Sequence, residues 1–177
     1  MELKGIKALN KTVSAQLKPF GISKAELSDE YAYYYDNEKV TYKITENTLE
    51  DRFFIDFVKD RFGYNVRYPF IFSLLHEVGH HKTGDDVEGL VYDFCQKEKA
   101  RINKAMAKTK TEKQAKKLEY QYFNLPDEIL ATAWAVKWSR RNPQKIEKMW
   151  EEIKNSLLTF YNINDIIDDE SEVDLNE

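Results

Sequence analysis

The sequence is poor in several residue types, and each scarcity narrows the class of protein. Cys95 is the single cysteine among 177 residues, so an intramolecular disulfide is excluded and a reducing cytoplasm is expected. Six Gly and four Pro are few for a sandwich or barrel rich in tight turns, which favours helix. The longest nearly uninterrupted apolar run, Tyr68 to Leu75, is too short to span a membrane, and the first residues show no secretory signal pattern.

Apolar residues make up 42% of the chain and aromatic residues 14%, which is enough to build a core. We therefore expect one domain over residues 1–164. Seven acidic residues and no basic residue fall within 165–177, and this composition predicts a disordered, solubilising tail.

The hydrophobic spacing predicts a mostly helical α+β fold with a small antiparallel sheet near the N-terminus. Segments 31–35 and 39–45 are rich in aromatic and β-branched residues, and the turn residues between them indicate a β-hairpin. Helices are predicted at residues 3–18, 48–61, 69–82, 85–108, 111–123, 124–140 and 142–161.

All three histidines fall within six residues, in the run His76-Glu77-Val78-Gly79-His80-His81. The first five residues form the pattern His-Glu-x-x-His on a predicted helix, where positions i and i+4 share one face. His76 and His80 can therefore bind one Zn²⁺ ion, while Glu77 is placed to act as a general base without being a ligand. This is the arrangement of a metal-dependent hydrolase.

The helical wheel leaves a second interpretation open. An apolar face lies nearly opposite His76 and His80, formed by Ile71, Leu74, Leu75 and Val78. The histidine face could therefore simply be solvated, or its rings could be satisfied by hydrogen bonds alone.

A third ligand would have to come from another element, and Glu128 is the candidate. It lies in the first turn of a predicted helix whose stripe continues with the small residues Ala131, Thr132 and Ala135. Small residues allow two helices to approach closely, so the Glu128 carboxylate could meet both imidazoles. The alternative is that Glu128 only complements the helix dipole.

With Glu128-x-x-Ala131-x-x-Trp134-Ala135, the histidine motif resembles the ImmA/IrrE family of zinc metallopeptidases, which are gluzincins. The resemblance covers roughly residues 70–136. It implies a zincin-like fold, zinc ligands His76, His80 and Glu128, and a catalytic Glu77. It also implies a protein substrate, such as a repressor of a phage or mobile element, and a substrate-binding edge strand at 39–45. Thr132 stands where the family usually has Asn, and 47 residues separate His80 from Glu128.

The same region also offers alternative ligands. In the metzincin pattern the last ligand would be Asp86 or its neighbour Asp85, but both are also explained as caps of the next helix. His81 points away from the histidine pair and is not expected to be a ligand. The group that would stabilise an oxyanion, a Tyr or an Arg, is not fixed by the sequence.

Residues 97–119 carry nine basic side chains, for which a solvated helical face is favoured over contact with nucleic acid.

Taken with its histidine motif, the sequence predicts a cytoplasmic zinc metallopeptidase acting on a protein or peptide. The alternative is a non-catalytic protein that binds a repressor or nucleic acid and has a structural or vestigial metal site.

Overall fold

The computed structural model describes residues 5–28, 33–36, 38–44 and 52–173. The chain is mostly helical with a small sheet, which confirms the predicted α+β class. Its elements in chain order are α1 (Ile6–Leu17), β1 (Lys24–Leu27), β2 (Tyr33–Asp36), β3 (Lys39–Tyr42), α2 (Arg52–Phe62), α3 (Pro69–Thr83), α4 (Leu90–Met106), α5 (Glu112–Phe123), α6 (Pro126–Arg141) and α7 (Pro143–Val173). Within the described residues, no helix is both long and apolar enough to cross a membrane.

The chain divides into two compact units. That residues 1–164 form one domain stays a prediction. The first unit combines Met1–Lys43 with Pro143–Glu177 and contains α1, the sheet and α7. The second unit, Ile44–Asn142, contains α2 to α6 and all of the predicted site residues.

The sheet has three strands in the order β1-β3-β2, and it is mixed rather than antiparallel. The predicted hairpin is confirmed, since β2 and β3 pair antiparallel with Tyr35 opposite Val40. The prediction of a purely antiparallel sheet is wrong because β1 pairs parallel with β3. The sequence Lys-Ala-Glu-Leu of β1 has no β-branched or aromatic residue, so its composition gave no strand signal.

Side chains of α1 help to hold β1 in place. The backbone N–H of Ala25 donates to Ser14 Oγ at 2.8 Å, and that of Leu27 donates to Asn10 Oδ1 at 2.9 Å. Because β3 lies between β1 and β2, Lys39–Tyr42 has no free edge. The expected substrate-binding edge at 39–45 is therefore wrong for this strand, and Thr45 lies outside the described residues.

The core of the first unit lies between α1 and α7. Helix α1 buries Leu9, Val13 and Leu17, and α7 buries residues at a similar helical spacing, Met149, Ile153, Leu157 and Phe160. Helix α7 continues past the predicted end near residue 161 and takes in 165–173 of the predicted disordered tail; 174–177 lie outside the described residues. Once a helix is nucleated, each added residue gains a backbone hydrogen bond, so a polar segment can extend it.

In the second unit, α3 packs closely against α6. Helix α3 starts at Pro69, as predicted. The preceding helix α2 ends before Gly63, which has a φ of 59° and is the predicted stop. Every residue from Phe70 to Gly79 is buried, so α3 is enclosed on all sides rather than on one apolar face. A Cβ on Gly79 would lie 2.3 Å from the carbonyl oxygen of Ala131, which confirms the predicted close approach at the small stripe.

Candidate metal centre

Three side chains from two helices converge at the contact between α3 and α6. His76 and His80 lie one turn apart on α3, and Glu128 lies in the first turn of α6. Glu128 Oε2 is 2.9 Å from His76 Nε2, and Glu128 Oε1 is 3.5 Å from His80 Nε2. One ligand atom from each of the three residues falls within 4.8 Å of the other two. The structure therefore brings together the three residues predicted to bind a metal.

The solvated alternative for the histidine face is wrong. Side-chain exposure is 6% for His76 and 3% for Glu128, and it rises to 18% only at His80. The face opposite the apolar stripe of α3 is covered by α6 and by aromatic residues. The group is therefore reached by solvent mainly from the His80 side.

Thr132 orients the His76 ring through a contact with Nδ1, the ring nitrogen that does not face Glu128. Its hydroxyl donates to the carbonyl oxygen of Glu128 at 2.7 Å, and its Oγ1 lies 3.1 Å from His76 Nδ1. A threonine hydroxyl has one proton, so here Oγ1 accepts and His76 Nδ1–H donates. This assignment of the tautomer leaves the lone pair of Nε2 directed at Glu128.

The donor set fits a divalent metal ion. His76 Nε2 and the ionised Glu128 carboxylate are both acceptors at 2.9 Å, so a proton or a metal cation must lie between them to avoid repulsion. Two imidazole nitrogens and a carboxylate oxygen are preferred ligands of zinc, and bond lengths of about 2.0–2.2 Å place such atoms roughly 3.3 Å apart in a tetrahedral site. The observed separations are 2.9 Å for His76 Nε2 with Oε2 and 3.5 Å for His80 Nε2 with Oε1, and the three ligand atoms of the group lie within 4.8 Å of one another. The group could hold a metal ion.

The electrostatics of the group keep Glu128 ionised. Burial alone would raise the pKa of its carboxyl, but the His76 and His80 side chains beside it outweigh burial and hold the pKa well below the ordinary value. Burial likewise acts to lower the pKa of His80, and the Glu128 carboxylate reverses that effect, so the His80 pKa is raised.

Glu77 interacts electrostatically with His76, His80 and Glu128 but is not one of the three metal-binding residues. It is 7% exposed, and burial raises the pKa of its carboxyl, although the charges of His80 and His76 act in the opposite direction. A buried carboxyl with a raised pKa beside a metal-binding group is a candidate for proton transfer.

Lys99 is a member of the site that the sequence interpretation missed, because it was counted with the solvated basic residues of 97–119. Its Nζ lies 2.5 Å from Glu128 Oε1 and 2.5 Å from Asp127 Oδ2. The Lys99 side chain is only 16% exposed. Burial acts to lower its pKa, but the Glu128 carboxylate outweighs burial and raises it above the ordinary value.

A signal for Lys99 was present in the sequence. Cys95, Lys99, Ile102 and Met106 recur at spacings of four, three and four residues, which is the core stripe of α4. Cys95 and Ile102 are buried in a cluster with Val87 and Leu125. A lysine on such a stripe has to find a buried partner, and here the partners are two carboxylates.

Aromatic residues from two helices pack beside the His76 ring. The Phe54 ring of α2 lies 5.0 Å from the His76 ring, edge to face, and 4.9 Å from the Phe123 ring of α5. Arg140 of α6 donates to the carbonyl oxygen of Phe62 at 2.7 Å, which ties the end of α2 to α6. The imidazole is thus held by packing as well as by Thr132.

The alternative ligands lie outside the group. Asp86 is exposed in the short 3-10 turn Gly84–Asp86 and does not belong to the metal-binding group, while the side chain of Asp85 lies outside what the structure describes. His81 also stays outside the group. Of the nine basic residues in 97–119, eight are exposed and Lys99 is the exception.

Comparisons with known proteins give no match: no family model, no curated protein and no solved structure is similar to this chain.

Proposed function

We propose that the chain is a zinc-dependent metallopeptidase, similar in its motifs to the ImmA/IrrE family, that hydrolyses a peptide bond in a protein substrate. The observation that carries the proposal is the convergence of His76, His80 and Glu128 within 4.8 Å at a helix contact. Their order along the chain, with Glu77 inside the histidine pair, is typical of a gluzincin with a zincin-like domain. A single buried cysteine suits the cytoplasm as its compartment.

The three ligands would be His76 Nε2, His80 Nε2 and a Glu128 oxygen. Structural zinc sites are usually closed by four protein ligands, whereas three ligands leave one position for water or substrate. When bound, zinc supplies a Lewis acid that polarises a carbonyl and makes water nucleophilic near neutral pH. A substrate would approach from the His80 side, where the side chain is 18% exposed.

Glu77 would move the proton. Its carboxyl pKa is raised by burial, so it exchanges a proton closer to neutral pH than an exposed glutamate does. In the proposed reaction Glu77 accepts a proton from the attacking water and returns it to the leaving amine. His76, held by Thr132, and Glu128 keep their positions throughout.

The test uses a library of peptides from a digested bacterial proteome, since the substrate is not identified. The metal-stripped protein, given one equivalent of zinc, should produce new peptide termini that mass spectrometry detects. Glu77→Gln should slow this cleavage about 100-fold or more while zinc affinity stays the same, because the base is lost and the ligands remain. Glu88→Gln, an exposed glutamate of the same unit, should cleave at the wild-type rate.

Two results would count against the proposal. If the wild-type protein releases no more peptide termini than Glu77→Gln does, the chain does not hydrolyse peptides and the proposed peptidase activity is wrong. If Glu77→Gln cleaves at the wild-type rate, Glu77 is not the base. Zinc binding without cleavage, together with salt-dependent binding of DNA, would favour the non-catalytic alternative.

A further inference from the structure

Lys99 and His80 share one oxygen atom of Glu128. Oε1 lies 2.5 Å from Lys99 Nζ and 3.5 Å from His80 Nε2, while Oε2 faces His76. Lys99 comes from α4, a helix that contributes no residue to the metal-binding group of the described residues. The carboxylate is thus held from one side by imidazoles and from the other by an ammonium group.

The charges of the cluster show what Lys99 does there. Glu77, Asp127 and Glu128 are 7%, 7% and 2% exposed, so three carboxylates are buried together. Among the ion pairs of the described residues, Lys99 is the only lysine or arginine bound to Asp127 or Glu128. One ammonium group therefore serves three buried carboxyl groups, and a divalent ion bound to Glu128 would be the second cation of the cluster. Unbalanced buried charge is unfavourable, so both cations contribute to the stability of the site.

We propose that Lys99 is a positioning residue that holds Glu128 and competes with the metal ion for its carboxylate. The proposal rests on the metal site of the proposed function. In the metal-free protein, the ammonium group stabilises Asp127 and Glu128. In the metal-bound protein it would share the carboxylate with a second cation, and two like charges on one carboxylate repel each other. Lys99 therefore lowers the affinity for metal while it keeps the metal-free protein folded.

The sign of this effect separates it from ordinary structural support. A residue that only orients a ligand raises metal affinity, and its loss typically weakens binding about 10–100-fold. Loss of a competing cation has the opposite effect. Glu128 keeps its other contacts when Lys99 is replaced, because His76 still faces Oε2 and α6 still packs against α3 at Gly79.

The experiment compares Lys99→Met with Lys97→Met, a matched control whose side chain is exposed two residues away on the same helix. Zinc affinity of the metal-stripped full chain is measured by competition with a chromogenic chelator, and Tm is measured without metal. Lys99→Met should bind zinc about tenfold more tightly, because a repulsive charge is removed, and its metal-free Tm should fall by roughly 5 °C. Lys97→Met should match the wild-type protein in both measurements.

Two further variants keep the test decisive. Lys99→Arg retains the charge and should stay within about threefold of the wild-type zinc affinity. Lys99→Gln retains a donor for the carboxylates without the charge, so it should also bind zinc more tightly if Lys99→Met fails to fold. Unchanged or weaker zinc binding by the folded neutral variants would overturn the inference.

The outcomes also separate this inference from the proposed activity. Tighter zinc binding by Lys99→Met without cleavage of any peptide would support competition between Lys99 and the metal and contradict the peptidase activity. If neither the wild-type protein nor any Lys99 variant binds zinc, both the metal site and the competition are wrong.

Discussion

Thr132 Oγ1 accepts a hydrogen bond from His76 Nδ1 at 3.1 Å because its own proton is donated to the Glu128 carbonyl oxygen at 2.7 Å. One hydroxyl therefore connects two of the three candidate ligands. It also sets the His76 tautomer that leaves Nε2 able to bind a metal. Thr132 is a small residue of the α6 stripe and stands where the ImmA/IrrE motif has Asn, and its hydroxyl has a role of its own in this chain.

Replacing Thr132 by valine should weaken zinc binding about 10–100-fold, since the partner that orients His76 is removed while side-chain shape is kept. Thr132→Ser retains the hydroxyl and is the matched control, for which we expect nearly wild-type affinity. Chelator competition measures both variants. Equal affinities of the valine and serine variants would show that the hydroxyl does not orient the ring.

Replacing Gly79 by alanine should destabilise the second unit. The new Cβ would lie 2.3 Å from the Ala131 carbonyl oxygen, which is backbone and cannot rotate away. Overpacking of this kind costs about 1–3 kcal/mol or more in the free energy of unfolding. Separation of α3 from α6 should also weaken zinc binding, because the ligands lie on both helices.

Gly84→Ala is the control for that variant. A Cβ at Gly84 meets nothing within 4 Å, so we expect a change of less than about 0.5 kcal/mol in denaturant unfolding. If Gly79→Ala unfolds at the same denaturant concentration as Gly84→Ala, the close helix contact does not limit the size of this residue.

In the first unit, Glu26 should give a pH-dependent contribution to stability. Hydrogen bonds from Lys24 and Lys39 lower its pKa below the ordinary 4.5, and Lys39 Nζ lies 2.5 Å from Glu26 Oε2. A lowered folded-state pKa means that the contribution is present above the unfolded pKa and is lost as pH falls through the folded pKa.

Glu26→Gln should therefore be less stable than the wild-type protein at pH 7, by at most about 1 kcal/mol because the pair is partly solvated. The difference should vanish in unfolding measurements well below pH 4. Glu38→Gln, at an exposed position of the β2–β3 turn, serves as the control. A difference between Glu26→Gln and wild type that is independent of pH would assign the effect to packing instead of charge.

Residues close together in sequence made the α3 part of the site predictable. The spacing of His76 and His80 places both rings on one side of a helix whatever surrounds it. Glu128 was also predictable, because Ala131, Thr132 and Ala135 form a small stripe along α6 and Gly79 lies on α3. A small residue on each of two helices predicts a close contact without any knowledge of the loops between them.

The missed features depend on contacts between distant elements. Lys99 has the composition of a solvated residue, and only the packing of α4 against α6 places it on Glu128. Strand β1 forms because β3 and the side chains of Ser14 and Asn10 satisfy its backbone, which local propensity does not encode. The same strand covers one edge of β3 and removes the edge expected at 39–45.

The most direct measurement is an anomalous difference map at the zinc edge from crystals of the protein loaded with one equivalent of zinc. We expect one strong peak about 2.0–2.2 Å from His76 Nε2, His80 Nε2 and a Glu128 oxygen. The peak should be absent in Glu128→Gln crystals prepared in the same way. A peak at His81 or Asp86 instead, or none between α3 and α6 at full zinc loading, would contradict the metal centre.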